Sequence, residues 1–212
     1  MPRFSSLPLV GLALSCVLST AFAQDRPWYA TLDAGVSRAG DPAFAGGRLK
    51  TGMGQAFGGS VGRQLGSNWR VEAAVMYRSN KVKEVSSPGF DLKPADGDLA
   101  SLFLTVNAFY DFDALKLGPA NLRPYLGVGV GRAQEVDTDL SAGGGAREFS
   151  GSGSARQVMA GLRWDYGSPW IADLGVSVAR TGSIRLAPSG LGSASQFKYS
   201  ATTVVARLGY RF

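Results

Sequence analysis

The chain contains no histidine, and its single cysteine is Cys16. Without histidine it lacks the commonest general base and the commonest metal ligand. With one cysteine at the N-terminal end it has no means of building a disulfide framework, a thiolate metal site or a cysteine nucleophile further along. It also lacks any run, after the first 23 residues, that approaches the roughly 18 apolar residues of a membrane-spanning helix. Its 29 glycines argue against long helices.

The N-terminal residues form a separate unit. Arg3 supplies a basic start, LPLVGLALSCVL (7–18) an apolar core, and Ala21-Phe22-Ala23 a small-residue cleavage site before Gln24. The apolar core is too short to span a bilayer and has the length of a secretory signal. Residues 1–23 are therefore expected to be a cleaved signal peptide and 24–212 a single β domain. The formal charge of +6 falls to +5 once Arg3 leaves.

Apolar residues recur at every second position in eight segments: 28–37, 53–64, 69–79, 99–112, 123–133, 155–166, 170–180 and 197–212. Each is close to the length that a tilted transmembrane strand needs. The turns GSN (66–68) and GSP (167–169) are tight and 113–122 is somewhat longer, whereas the other four connections run far longer. Trp28, Leu32, Val36, Phe57, Val61, Trp69, Val71, Val75, Leu104, Val106, Val128, Val130, Val158, Leu162, Leu174, Val176, Val204 and Leu208 share one face. Asp33, Arg70, Glu72, Arg78, Asp111, Arg163, Asp165, Asp173, Arg207 and Arg211 share the other. All four tryptophans lie at the short-turn ends of their strands, as aromatics do at a membrane interface. An all-β, eight-stranded antiparallel transmembrane barrel follows, with its apolar face turned to lipid, short periplasmic turns and four long extracellular loops.

GGSVGRQLGSNWRVEAAVMYR (58–78), LTVNAFYDF (104–112), RPYLGVGVG (123–131) and the final LGYRF resemble the eight-stranded outer-membrane barrels of the OmpA-type transmembrane domain and the opacity-type porin-family proteins. The resemblance implies a cell outer membrane location in a Gram-negative envelope. It also implies that Leu208, Tyr210 and Phe212 form the terminal signal read by the outer-membrane assembly machinery. Arg207 stands where that signal usually carries glycine.

The inward charges nearly balance, and removing them from water is costly unless they pair. A lumenal ion-pair network of Asp33, Arg70, Glu72, Arg163, Asp173 and Arg207 is expected to plug the barrel, and replacing Arg70 with alanine is expected to raise conductance. Inward glycines such as Gly127, Gly129, Gly161 and Gly175 suggest room for water and keep a narrow porin-like channel for small solutes as the alternative. Arg38, Lys81, Arg132, Arg156, Arg180 and Lys198 have outward parity beside the long loops, where they are expected to face lipopolysaccharide phosphates; simple snorkelling explains them equally well.

No catalytic residue, metal site or cofactor is expected. GVGVGR (127–132) lacks the third glycine of a dinucleotide loop, and GSGSAR (151–156) lacks the phosphate-loop lysine. Barrel enzymes of the lipid A deacylase, palmitoyltransferase and omptin types rely on histidine. No aromatic-interleaved basic patch points to nucleic acid. The expected protein is a monomer with a structural or surface-interaction (adhesion-type) role, and a host or surface ligand would be met through its loops. No chemistry is evident in the loop SAGGGAREFSGSGS (141–154), which is expected to be mobile.

Overall fold

In the computed structural model, the described residues are 27–41, 43–44, 47–87, 90–92, 96–117, 120–142, 145–165, 169–188 and 195–212. The segment read as a signal peptide lies outside them. Eight long strands dominate: β1 (Trp28–Ala39), β2 (Gly47–Leu65), β3 (Trp69–Ser87), β4 (Asp96–Asp111), β5 (Ala120–Ala142), β6 (Gly145–Asp165), β7 (Trp170–Thr181) and β8 (Ser200–Arg211). Each pairs antiparallel with its sequence neighbours, and β1 pairs with β8, so the sheet closes into a barrel without free edges. The closure includes the end of the chain, where the Phe212 amide donates to the Trp28 carbonyl at 2.9 Å.

The pairing register sets the barrel's shape. Followed once round the wall, it runs from Trp28 through Arg63, Val71, Ala108, Val128, Val158, Val178 and Thr202 to Arg38. The path therefore returns to β1 at position 38 after leaving it at position 28, a shear of ten residues. For eight strands this corresponds to a tilt of about 40° and an axial rise of about 2.5 Å per residue. On that geometry Trp28, Trp69, Trp164 and Trp170 sit within about 3 Å of one height, and Arg38, Arg132, Arg156 and Arg180 lie about 23 Å above them.

Between these two levels the barrel is inside-out. Leu32 (73% exposed), Val106, Leu126, Val128, Val130 and Leu208 point away from the barrel, and Asp33, Arg70, Glu72 and Asp173 are buried within it. Edge-to-face contacts join Trp69 to Tyr110, Tyr110 to Phe112 and Trp170 to Tyr210, with centroids 5.1–5.2 Å apart.

Several strands are longer than expected. The segments read as long loops at 47–52, 80–87, 134–142 and 145–154 are strand, so β2–β6 continue about 20 Å beyond the arginine level, whereas β1, β7 and β8 end within about 5 Å of it. Of the loop expected to be mobile at 141–154, residues 141–142 and 145–154 belong to paired strands, as in Ser141 with Ala146 and Ser150 with Asp137, and 143–144 lie outside the described residues. The short segments Ala43–Phe44, Phe90–Leu92 and Ile184–Pro188 pair along the upper parts of β2, β3 and β6, and Leu115–Leu117 pairs with the foot of β5. In the turn 66–68, Gly66 takes a positive φ of 69°, a conformation that glycine adopts without cost.

Above the arginines the alternation changes sign. Leu49, Val82, Leu99, Val136 and Ile184 turn inward and are buried, while Arg48, Lys50, Lys81, Lys83 and Asp98 are exposed. With Phe103, Tyr199 and small alanines they form an apolar layer that fills the loop end of the barrel.

Candidate functional site

The lumen near the turn end holds a charged network built by the register. Around the wall, Asp33 on β1 is opposite Arg207 on β8, Arg207 is opposite Asp173 on β7, and Asp173 is opposite Arg163 on β6. Opposite charges therefore alternate between neighbouring strands, the arrangement that stabilises a cross-strand pair. Arg207 Nε lies 3.3 Å from Asp33 Oδ2, and its Nη1 lies 3.6 Å from Glu72 Oε2. On β3, Arg70 is opposite Phe109 of β4 and binds carboxylates of both strands. Its Nη1 donates to Glu72 Oε1, and its Nε donates to Asp111 Oδ1 at 2.9 Å and Oδ2 at 3.2 Å. Arg163 stands further off, 3.8 Å from Asp111 and 4.0 Å from Asp173. All six residues expected to form the network are therefore brought together, with Asp111 as a seventh member. Asp165 belongs to β6, but its side chain lies outside the described set.

Two tyrosines complete the network. Tyr29 donates its hydroxyl to Glu72 Oε1 at 2.7 Å, and Tyr125 donates to Asp173 Oδ1 at 2.7 Å. The Arg70 guanidinium lies 3.9 Å from the Phe109 ring centroid and 4.7 Å from that of Tyr125, an arrangement in which cation–π attraction adds to the ion pairs. Sequence reasoning missed these aromatics. The available signal was their parity, because Tyr29, Phe109 and Tyr125 fall on the polar face of their strands.

The inward glycines do not hold open a water path. A Cβ at Gly161 or Gly175 would overlap the Tyr125 hydroxyl, one at Gly62 would overlap Tyr29, and one at Gly127 would overlap Phe109. They are small so that aromatic rings fit inside the barrel, which corrects the expectation of water-filled space. At the turn end a cavity of about 220 Å³, lined by Tyr29, Gln64, Asp111, Arg123, Arg163 and Arg211, ends at the network. Arg123 is opposite Arg163 and donates to the Ser67 carbonyl at 3.3 Å.

Arg78 stands apart, higher in the lumen. Its Nε donates to Thr203 Oγ1 at 2.9 Å and its guanidinium lies 5.0 Å from the Phe103 ring centroid, but Nη1 has no partner. Among the described residues no carboxylate lies within salt-bridge distance of it, and no group of acidic side chains suits a metal ion.

All six expected rim cations are exposed, but they do not form one ring. Arg156 is directly opposite Arg180 and one row from Arg132, whose neighbour across β6 is Ser154. Arg38 shares their height across Thr202. Lys81 lies about 8 Å higher, opposite Asp98, and Lys198 precedes the start of β8. Leu208 points outward, and Tyr210 and Phe212 are half-buried beside the tryptophan level.

The outer membrane protein β-barrel domain family matches residues 9–212. The chain is similar in structure to neisserial surface protein A, at 19% identity over 87% of this chain and 97% of that one, with a TM-score of 0.54. It is also similar to the outer membrane protein AlkL, solved in DMPC lipid bilayers, at 16% identity over 100% and 97% of the two chains, with a TM-score of 0.53. OprG from Pseudomonas aeruginosa gives 16% identity over 88% and 96%, with a TM-score of 0.50. At these identities the likeness is one of fold. No curated protein matches the chain.

Proposed function

The chain belongs to the outer membrane β-barrel family and is an outer-membrane barrel protein, and from that footing we propose that it is a closed, non-enzymatic barrel with a structural or surface-interaction role. Residues 1–23 export it and are removed. Leu208, Tyr210 and Phe212 present it to the assembly machinery. The tryptophan level marks the periplasmic interface, the arginine level lies in the outer leaflet beside lipopolysaccharide, and the upper strands carry any contact with a host or surface ligand. It acts as a monomer.

The observation that carries this reading is that the lumen is blocked twice. The charged network fills the periplasmic half, and the apolar layer around Phe103, Tyr199, Leu99 and Ile184 fills the extracellular half. Ions would have to displace paired charges at one level and cross a dry layer at the other, and both are costly. Removing Arg70 alone is therefore no longer expected to raise conductance, because the apolar layer remains.

Single-channel recording of the mature chain in a planar bilayer tests this. The folded protein and its Arg70→Ala variant are both expected to be silent. Combining Arg70→Ala with Phe103→Ala and Tyr199→Ala should produce openings. Discrete, reproducible openings in the unmodified protein would overturn the closed barrel and establish the narrow-channel alternative.

A further inference from the structure

Three arginines on adjacent strands meet on the lipid-facing wall. Arg156 on β6 pairs directly with Arg180 on β7 and with Val130 on β5, which places Arg132 on the same face one row away. Neighbouring strands are only about 4.8 Å apart, so three guanidinium groups share one patch at the edge of the hydrocarbon. All three are exposed. Like charges directly opposite one another destabilise a sheet, and among the described residues no carboxylate comes within salt-bridge distance of any of them. Their only hydrogen bond between described side chains runs from Arg132 Nη2 to Ser152 Oγ at 3.0 Å. The patch is confined to one side. At the same height β2, β3 and β4 present Gln55, Tyr77 and Leu102.

Snorkelling accounts for single long cations at a membrane edge, but it gives no reason to set two arginines opposite each other with a third beside them. A bound anion does, because a guanidinium binds phosphate oxygens with two parallel hydrogen bonds. Charge then selects the anion. A phosphate diester carries a single negative charge, whereas a monoester carries about 1.5 to 2 near neutral pH and matches three cations better.

We infer that Arg132, Arg156 and Arg180 form one clamp for a phosphate monoester on a glycolipid of the outer leaflet, with Arg156 at its centre. The inference rests on the reading above that this end of the barrel lies in that leaflet. Bound lipid would occupy the β5–β7 side of the barrel and leave the β2–β4 side to exchange freely.

The full mature chain, refolded in detergent micelles and shown to be folded by heat-dependent gel mobility, would be offered three probes. These are a bis-phosphorylated acylated glucosamine disaccharide, the same lipid after phosphatase treatment, and phosphatidylglycerol as a diester. Bound lipid would be counted by native mass spectrometry. The phosphorylated glycolipid should be retained at least tenfold better than either of the others. Arg156→Gln should lower that preference about threefold, the combined Arg132→Gln, Arg156→Gln and Arg180→Gln variant should abolish it, and Arg38→Gln should change it less than twofold. Equal retention of the dephosphorylated lipid, or a triple variant that binds like the unmodified chain, would overturn the clamp. Equal retention of phosphatidylglycerol would overturn the monoester assignment. The measurement is independent of the lumen: a conducting barrel would leave the binding intact, and a failed clamp would leave the barrel closed.

Discussion

Glu72→Ala is expected to destabilise the barrel by about 3–5 kcal/mol, because removing one member of a buried ionic cluster leaves the others charged and unpaired. Glu72 lies at the junction of three strands. It accepts from Tyr29 on β1 and Arg70 on β3, and it faces Arg207 on β8 at 3.6 Å. Without it, Arg70 retains only Asp111 and Arg207 only Asp33 among the close carboxylates described. Urea titration of the chain folded in lipid vesicles, read by the fraction that keeps its folded gel mobility, gives the change. Glu72→Gln should recover part of the loss, since the amide oxygen still accepts from Tyr29. A midpoint unmoved by Glu72→Ala would mean that water or rearranged partners satisfy the arginines.

Arg78→Met is expected to act in the opposite direction, stabilising the barrel by about 1–4 kcal/mol. Arg78 is as deeply buried as Arg70, but it has one hydroxyl partner, an aromatic ring and an unpartnered Nη1. Methionine fills a similar length and places its sulfur near Phe103, a favourable contact. The Thr203 hydroxyl loses the donor it accepts from, a cost smaller than that of keeping the guanidinium out of water. Measured by the same titration, a clear loss of stability in Arg78→Met would show that the guanidinium has a partner worth more than its desolvation. The pair of variants separates two arginines that look alike in sequence, spaced eight residues apart on one face of β3.

Much of this was legible in the alternation of residues. The lipid-facing row of Leu32, Val61, Val75, Val106, Val128, Val176 and Val204 and the opposite row of charges were readable because a membrane forces every second residue to be apolar on the outside. That fixed the face each strand turns outward, since a slip of one residue would drive charges into lipid, but not the register, because a slip of two leaves every face unchanged. The upper halves of β2–β6 were not readable for the same reason. Once a strand leaves the membrane its outer face meets water, so Lys83 and Arg48 point out and Val82 and Leu49 point in. A search for outward apolar residues loses such a strand at the point where the pattern inverts. Register shifts at Thr51/Gly54, Leu102/Phe103 and Ala133/Val136 lie near that point and break the period as well. Charge pairing across strands could be inferred from parity. The contact between Arg70 and Asp111, 41 positions apart, could not, because it depends on the reach of a long side chain over the Phe109 ring. The apolar layer at the loop end was half hidden: Leu49, Val82, Val136 and Ile184 lie in segments read as loops, whereas Leu99, Phe103 and Tyr199 lie in segments read as strands and were apolar residues on the face taken to be polar.

The unequal height of the wall gives the molecule a compass direction. Strands β2–β6 rise about 20 Å beyond the arginine level, and β7, β8 and β1 end near it, so turning the barrel about its axis changes what its neighbours encounter. From β2 to β6 the wall above the arginines is made of the long strands themselves, whereas on the β7–β8 side it is made of short segments, Ile184–Pro188 against upper β6 and Ser195–Phe197 against Ile184–Leu186. The arginines of β5–β7 sit where the long strands give way to those segments. Lipid held by them would mark, on the membrane-facing wall, the flank where long strands give way to short segments.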